Sequence, residues 1–192
     1  MRLFIGVALP DFAKQEAAAA CERVKRQIQR AAARAAIRWV EPENLHVTLW
    51  FLGETKDEAA DAVRAALHLP LTIPSFDLQL ARFGAFPEKG SPRVLWMSVA
   101  RGREQLVSLY GEIRDRLRPL GYEPERRSFS PHLTVARVKD ISGSDAPAVR
   151  KVLAAASPAL STFVADAAVL FRSHTSPHGA RYESLLRVPL KG

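Results

Sequence analysis

The chain has 192 residues, of which 47% are hydrophobic and 25% are charged. This length supports one sizeable core but not two independent ones, and no segment offers the roughly twenty uninterrupted apolar residues of a membrane span. The only cysteine, Cys21, excludes an internal disulfide and is compatible with a reducing compartment. A formal net charge of +8 favours polyanionic partners. We therefore expect one cytoplasmic domain over residues 1–192, with no membrane segment.

The spacing of apolar residues alternates between strand and helix periods along the chain, which predicts an α+β fold. The opening run from Arg2 to Leu9 is interrupted by Pro10 and Asp11, so it suits a first strand better than a signal peptide. In chain order we predict strand 2–9, helix 12–36, strands 37–40 and 45–52, helix 56–67, strands 75–83 and 93–99, helix 102–117, strand 131–138, helix 144–156, and strands 163–171 and 181–188.

A histidine two residues before a threonine occurs twice, in the segments 45–49 and 131–135. Residues i and i+2 of a strand point to the same face, so His46 lies beside Thr48 and His132 beside Thr134, while the residues between them face a core. One such pair is an ordinary feature of a half-buried strand. The two copies have apolar residues at the same positions around them, and one lies in each half of the chain. This pattern indicates an internal duplication and two lobes that face each other across a groove.

Two facing imidazoles are suited to cleaving a phosphodiester. The unperturbed pKa of histidine is about 6.5, so one ring can accept a proton from the attacking oxygen while the other delivers a proton to the leaving oxygen. Hydroxyl groups of Thr48 and Thr134 can donate hydrogen bonds to the phosphoryl oxygens. The residues alone do not decide which histidine is the donor and which is the acceptor.

These segments resemble the 2H phosphoesterases, and in particular the RNA 2′,3′-cyclic phosphodiesterase branch, also described as 2′-5′ RNA ligases. The similarity covers nearly the whole chain: the opening strand at 3–7, the segments 39–49, 51–54 and 130–137, and Tyr182 with Glu183. The resemblance implies two pseudo-symmetric α+β lobes, each a mostly antiparallel sheet with helices on its outer face and an active-site groove between them. It also implies that no metal or other cofactor is required.

By this resemblance, His46 matches the proton donor to the leaving ribose oxygen and His132 matches the acceptor that activates water. Thr48 and Thr134 match phosphate-binding threonines, and Arg137 matches an arginine near the scissile phosphate. Strict alternation places Arg137 on the face opposite His132, so its role requires a twist or a bulge near the end of the strand.

Three aromatic residues are candidates for stacking on a nucleobase. Trp50 stands where the family usually has lysine, and alternation places it on the same side as His46. Phe4 and Phe129 are further candidates, although each alone is more typical of buried packing.

The other histidines do not have the spacing of a metal site. His68 ends a helix, and His174 and His178 lie four apart in a loop with a proline, where the geometry of a helical zinc pair is not expected. We interpret all three as surface residues, with His174 and His178 bordering the groove. Cys21 lies in an alanine-rich helical stretch and is interpreted as a buried structural thiol.

The sequence therefore predicts a metal-independent phosphoric diester hydrolase that converts a terminal 2′,3′-cyclic phosphate on RNA, such as a tRNA fragment, to a 2′-phosphate. We expect a monomer whose basic surface binds the RNA backbone. Two alternatives stay open: the same site acting on a small cyclic nucleotide or an ADP-ribose cyclic phosphate, and a non-catalytic module that binds RNA ends.

Overall fold

The computed structural model describes residues 1–123, 128–176 and 179–192, and the elements in these ranges are of the α+β class, as predicted. The strands are β1 (Arg2–Ala8), β2 (Ala36–Trp39), β3 (His46–Glu54), β4 (Phe76–Phe86), β5 (Val94–Arg101), β6 (His132–Asp140), β7 (Phe163–Ala165), β8 (Ala167–Ser176) and β9 (Gly179–Pro189). The α-helices are α1 (Asp11–Ala31), α2 (Asp57–Leu67), α3 (Arg103–Leu117) and α4 (Asp145–Ala155).

The strands form one curled antiparallel sheet in the order β7-β4-β5-β6-β3-β1-β8-β9, with β2 also paired to β6. Its two parts join where Val47 of β3 lies opposite Leu133 of β6. We refer to β2, β4, β5, β6 and β7 as the β6 lobe, and to β1, β3, β8 and β9 as the β3 lobe. The two antiparallel lobes predicted from the sequence are therefore present.

The lobes do not coincide with the two halves of the sequence, as the pattern of duplication had suggested. Strand β2 comes from the first half of the chain but pairs with β6, and β8 and β9 come from the second half but extend the sheet from β1. Apolar periodicity identifies strands without specifying their neighbours. Each lobe is thus completed by strands from the other half of the chain.

Two boundaries differ from the prediction because pairing overrides local propensity. Helix α1 ends at Ala31 rather than near residue 36, since Ala36–Trp39 is recruited to the edge of β6. The predicted strand 163–171 is divided at Asp166, where the chain leaves β4 and joins β1. The predicted loop after residue 172 is instead a continuous ladder in which Ser176 pairs with Gly179.

The core lies between the sheet and the helices, which pack as the pairs α1 with α4 and α2 with α3. The predicted apolar stripe of α3, residues 106, 109, 113 and 117, is fully buried. Cys21 is buried in α1, and burial raises the pKa of its thiol to about 12, so it is unreactive at neutral pH. Within the described residues, no helix combines the length and the hydropathy needed to cross a membrane.

Candidate active site

The two His-x-Thr strands meet at the junction of the lobes. Because Val47 and Leu133 are antiparallel partners, the residues on either side of each point to the opposite face of the sheet. His46 therefore faces the groove beside Thr134, and His132 faces it beside Thr48. One pairing brings all four predicted side chains to one face, while Val47 and Leu133 are both fully buried in the core.

Both strands contain a β-bulge at the same distance from the histidine. Relative to β1, the extra residue of β3 is Leu49, and relative to β5, the extra residue of β6 is Val135. The burial pattern of the nine residues is identical in β3 and β6. The duplication inferred from the motifs thus includes a local backbone irregularity, which reverses the alternation for the residues that directly follow it, Trp50 and Phe51 in β3 and Ala136 and Arg137 in β6.

The bulge in β6 brings Arg137 to the groove. Arg137 lies opposite Val94 and Thr134 lies opposite Trp96, and Val94 and Trp96 are two residues apart on β5. They point to the same face, so Arg137 and Thr134 do as well. The bulge that the arginine's role requires is present at Val135.

The bulge in β3 has the opposite effect on Trp50. Trp50 lies opposite Ile5 on the core face and is 4% exposed, packed edge-on against Tyr110 and Tyr122. The expectation that Trp50 shares a face with His46 is therefore wrong, because the extra residue Leu49 reverses the alternation. The next residue, Phe51, points to the groove side and is 55% exposed.

His46 is held by backbone and aromatic contacts. Its Nδ1 lies 2.7 Å from the carbonyl oxygen of Asn44, and a carbonyl can only accept, so Nδ1 carries the proton. The rings of Phe4 and Tyr182 lie 4.7 and 5.1 Å from the imidazole. A Cβ at Gly6 would lie 3.2 Å from Cδ2 of His46 and 2.8 Å from the carbonyl oxygen of Val47, so only glycine permits this packing.

His132 repeats this arrangement. Its Nδ1 lies 2.7 Å from the carbonyl oxygen of Ser130, again two residues earlier in the chain. The ring of Phe86 packs edge-on at 5.2 Å, and Trp96 lies at 6.4 Å. In both histidines the backbone fixes the tautomer and leaves Nε2 as the atom that can exchange a proton.

Burial makes both imidazoles weaker bases than usual. It lowers the pKa of His46 to about 4, although the carbonyl of Asn44 opposes the change. Burial also lowers the pKa of His132, and the positive charge of Arg137 lowers it further. Both rings are therefore neutral at pH 7 in the free protein. The Nε2 of neutral His46 accepts a hydrogen bond from the Thr48 hydroxyl at 2.9 Å.

The groove between the lobes opens at its two ends into chemically different cavities. Beyond His132 lies an apolar pocket of about 340 Å³ whose wall includes Phe51, Phe86 and Phe129. Beyond His46 lies a groove of about 590 Å³ that contains Arg137 and Tyr182. Since Arg137 and Phe51 occupy equivalent positions in their strands, the two ends differ by an exchange of a cation for an aromatic ring.

The three aromatic candidates for stacking occupy different environments. Phe4 is 2% exposed and supports the ring of His46, which is the buried packing that the sequence analysis regarded as more typical of this residue. Trp50 is buried, as described above. Phe129 is half-buried, stacks on Tyr110 at 4.6 Å and lines the apolar pocket. Trp50 also borders this pocket, but Phe129 is the more exposed of the two rings.

The other predicted surface histidines lie apart from the paired motifs. His68 is exposed at the end of α2. His174 is also exposed and donates a hydrogen bond from Nε2 to the Glu183 carboxylate at 2.8 Å, and His178 lies outside the described residues. Among residues 1–123, 128–176 and 179–192, no three His, Cys, Asp or Glu side chains are grouped as metal ligands.

Two residues at the site were not identified as functional from the sequence. Tyr182 and Phe51 were noted only within the segments that carry the resemblance, with no role of their own. A signal for Phe51 exists: each motif strand has two successive apolar residues, Leu49-Trp50 and Val135-Ala136, which break the alternation at the same position.

Paired His-x-Thr strands on one face of a two-lobed antiparallel sheet define the two-histidine, or 2H, class of phosphoesterases. The model of one family in this class, the 2′-5′ RNA ligase superfamily, matches residues 15–177, and the chain belongs to that superfamily. The resemblance described from the sequence is thereby confirmed.

Similar proteins carry consistent names. The RNA 2′,3′-cyclic phosphodiesterase of Archaeoglobus fulgidus is 36% identical over 151 residues, which cover 79% of this chain and 80% of that protein. The protein of the same name from Methanocaldococcus jannaschii is 33% identical over 183 residues, covering 95% and 97%. Among solved structures, TT0787 of Thermus thermophilus has a TM-score of 0.76 at 26% identity, covering 100% of this chain and 99% of that one. Apo LigT of E. coli has a TM-score of 0.74 at 25% identity, covering 100% and 98%.

Proposed function

We propose that this protein is an RNA 2′,3′-cyclic phosphodiesterase that converts a terminal 2′,3′-cyclic phosphate to a 2′-phosphate. The observation that carries the proposal is the placement of His46, Thr48, His132 and Thr134 on one face, with Nδ1 of each histidine bonded to a backbone carbonyl. The names of the relatives support the substrate, and membership of the family agrees with the predicted enzyme class, a phosphoric diester hydrolase.

In the proposed reaction His132 is the proton acceptor. Its Nε2 removes a proton from water as the water oxygen attacks phosphorus in line with the 3′ oxygen. The bond between phosphorus and O3′ breaks, and His46 delivers a proton from Nε2 to that oxygen. The product carries a 2′-phosphate and a 3′-hydroxyl. The next turnover requires one proton to pass from His132 to His46 through solvent.

The low pKa of His46 bears on the role of proton donor. A neutral ring cannot donate from Nε2, and in the free protein burial keeps this ring neutral at pH 7. A bound phosphodiester places a negative charge beside the ring in a site of low dielectric, which favours the imidazolium and raises its pKa. We therefore propose that substrate binding raises the pKa of His46 enough for the ring to be protonated at Nε2 and to act as the donor.

The remaining polar groups stabilise charge on the phosphoryl oxygens. Thr48 and Thr134 lie next to the histidines on both strands and can donate hydroxyl hydrogens. Arg137 offers a planar pair of donors on the same face as Thr134. These groups supply the electrostatic stabilisation that the proposal assigns to the protein without a metal.

Both lobes contribute to this site, so we propose that residues 1–192 act as one catalytic domain. We further propose that the domain is a cytoplasmic monomer that acts on RNA fragments such as those of tRNA.

The test uses an oligonucleotide ending in a 2′,3′-cyclic phosphate, incubated with the protein in EDTA, with the product identified by chromatography. We expect a 2′-phosphate, and losses of about 10²–10⁴-fold in His46→Ala and His132→Ala. His68→Ala is the matched control, because that exposed ring lies apart from the groove.

Three outcomes contradict the proposal. Cleavage that EDTA abolishes indicates a metal mechanism. An inert protein that binds the oligonucleotide tightly is an RNA-end-binding module. Activity on small cyclic nucleotides or ADP-ribose cyclic phosphate, with no activity on RNA, means that the substrate is wrong.

A further inference from the structure

We infer that the groove beside His46 binds the backbone phosphates of the RNA strand on the 5′ side of the terminal nucleotide. This inference rests on the proposed function, and it assigns a binding site to Arg38 and Lys139, which have no part in the chemistry. The groove has a volume of about 590 Å³ and is lined by residues of α1, β2, β6 and β9 and of the segment 40–44.

Like charges face each other across two paired strands in this groove. Arg38 of β2 is the direct cross-strand partner of Arg137 of β6. Like charges in directly opposite positions destabilise a sheet. Lys139 adds a third cation two residues after Arg137, where the register between Ala36 and Ile37 shifts. The groove thus concentrates positive charge at a cost in folding stability.

Few carboxylates offset this charge. Arg38, Arg137 and Lys139 are exposed, and none of them forms an ion pair with a carboxylate among the described residues. Lys25 also lines the groove but pairs with Glu22 at 3.0 Å. Glu41 is the one carboxylate in the described lining. Three neighbouring cations with no carboxylate partner in the described part of the chain are suited to a ligand with repeated negative charges.

The groove is continuous with the candidate active site. Arg137 shares a face with Thr134, and its charge acts on both His132 and Tyr182. Tyr182 packs against the ring of His46 and also lines the groove. A ligand that occupies the groove therefore reaches the phosphorus position without leaving the protein surface.

The proposed reaction gives the strand a direction. His46 donates its proton to the leaving 3′ oxygen, so the terminal ribose lies on the His46 side of the phosphorus. The 5′ carbon of that ribose carries the next phosphate of the chain, and the groove lined by Arg38 and Lys139 opens on this side. The half-buried side chains of Trp39 and Val40 provide apolar walls for the sugars and bases between phosphates.

The experiment compares substrates of different length. A nucleoside 2′,3′-cyclic phosphate fills only the catalytic site, whereas a hexanucleotide with the same terminus also fills the groove. The double variant Arg38→Ala/Lys139→Ala is compared with Arg103→Ala/Lys151→Ala, which removes two exposed cations from helices α3 and α4.

We expect the groove variant to lose about 5- to 30-fold in kcat/KM on the hexanucleotide, the effect of two exposed charge contacts, and to keep its activity on the nucleoside substrate. Its binding should also depend less steeply on salt, by about 1.4 in the slope of log K against log salt concentration, because two phosphate contacts are removed. The control variant should match the wild type in the ratio of the two substrates.

Two results overturn the inference: equal losses in groove and control variants, or equal losses on both substrates. If the wild type hydrolyses neither substrate, the proposed function fails, and the groove is judged by binding alone. Fluorescence anisotropy of a hexanucleotide with a 3′-phosphate then decides, since unchanged affinity in the groove variant contradicts the inference and a selective loss supports it.

Discussion

Val47 of the first motif strand lies opposite Leu133 of the second, and this pair places both histidines on one face of the sheet. The partners are buried aliphatic residues, whereas the residues that flank them are the polar ones. The core therefore fixes the relative position of the two motifs. Each histidine is then oriented locally, by the carbonyl two residues before it.

The burial of His46 predicts a loss of stability in acid. Its pKa is about 4 in the folded protein against 6.5 when unfolded, so between these values the unfolded chain binds more protons. Stability from this group is complete above pH 6.5 and is lost as the pH falls toward 4. The difference corresponds to about 3 kcal/mol in the free energy of unfolding.

Urea unfolding at pH 7 and at pH 4 measures the contribution of His46 to the free energy of unfolding. Carboxylates also titrate in that range, so the comparison is with His46→Gln, which cannot ionise. We expect the wild type to lose about 3 kcal/mol more than the variant between the two pH values. Equal losses would show that the imidazole is not desolvated in the folded protein.

Replacing Arg137 should change both catalysis and the titration of His132. We expect Arg137→Ala to reduce kcat about 10- to 100-fold on a cyclic phosphate, since one charged donor to the phosphoryl oxygens is lost. The same change should raise the pKa of His132, because the arginine's charge lowers it. NMR titration of the imidazole measures the second effect. Arg137→Lys should keep the lowered pKa of His132 but not the full kcat. An unaltered titration of His132 in Arg137→Ala would show that the guanidinium does not lie near this imidazole.

The core position of Trp50 predicts that its replacement acts on stability rather than on substrate binding. Trp50→Ala should lower the free energy of unfolding by about 3–5 kcal/mol, since a buried ring leaves a cavity. Phe51→Ala, at the exposed neighbouring position, should lower it by less than about 1 kcal/mol. Denaturant unfolding of both variants provides the measurement. A stable Trp50→Ala protein with a raised KM would instead support stacking on a base.

The motif strands, their polar face and the stripe of α3 were predictable because each depends on local periodicity. Alternation alone places Arg137 on the wrong face, because its position depends on the bulge at Val135, so only the resemblance pointed to this residue. The end of α1 and the division at Asp166 were also missed. Both depend on which strand the chain joins next, a property of the whole sheet.

The central claim, that both imidazoles act on one phosphorus, is tested most directly by combining the two histidine substitutions. Groups that act as a unit are strongly non-additive in kcat, because the loss of either one already disables the shared step. We predict that the double variant His46→Ala/His132→Ala hydrolyses a terminal 2′,3′-cyclic phosphate within about tenfold of the slower single variant. Losses that multiply, so that the double variant is slower by the product of the two single effects, would contradict a single shared site.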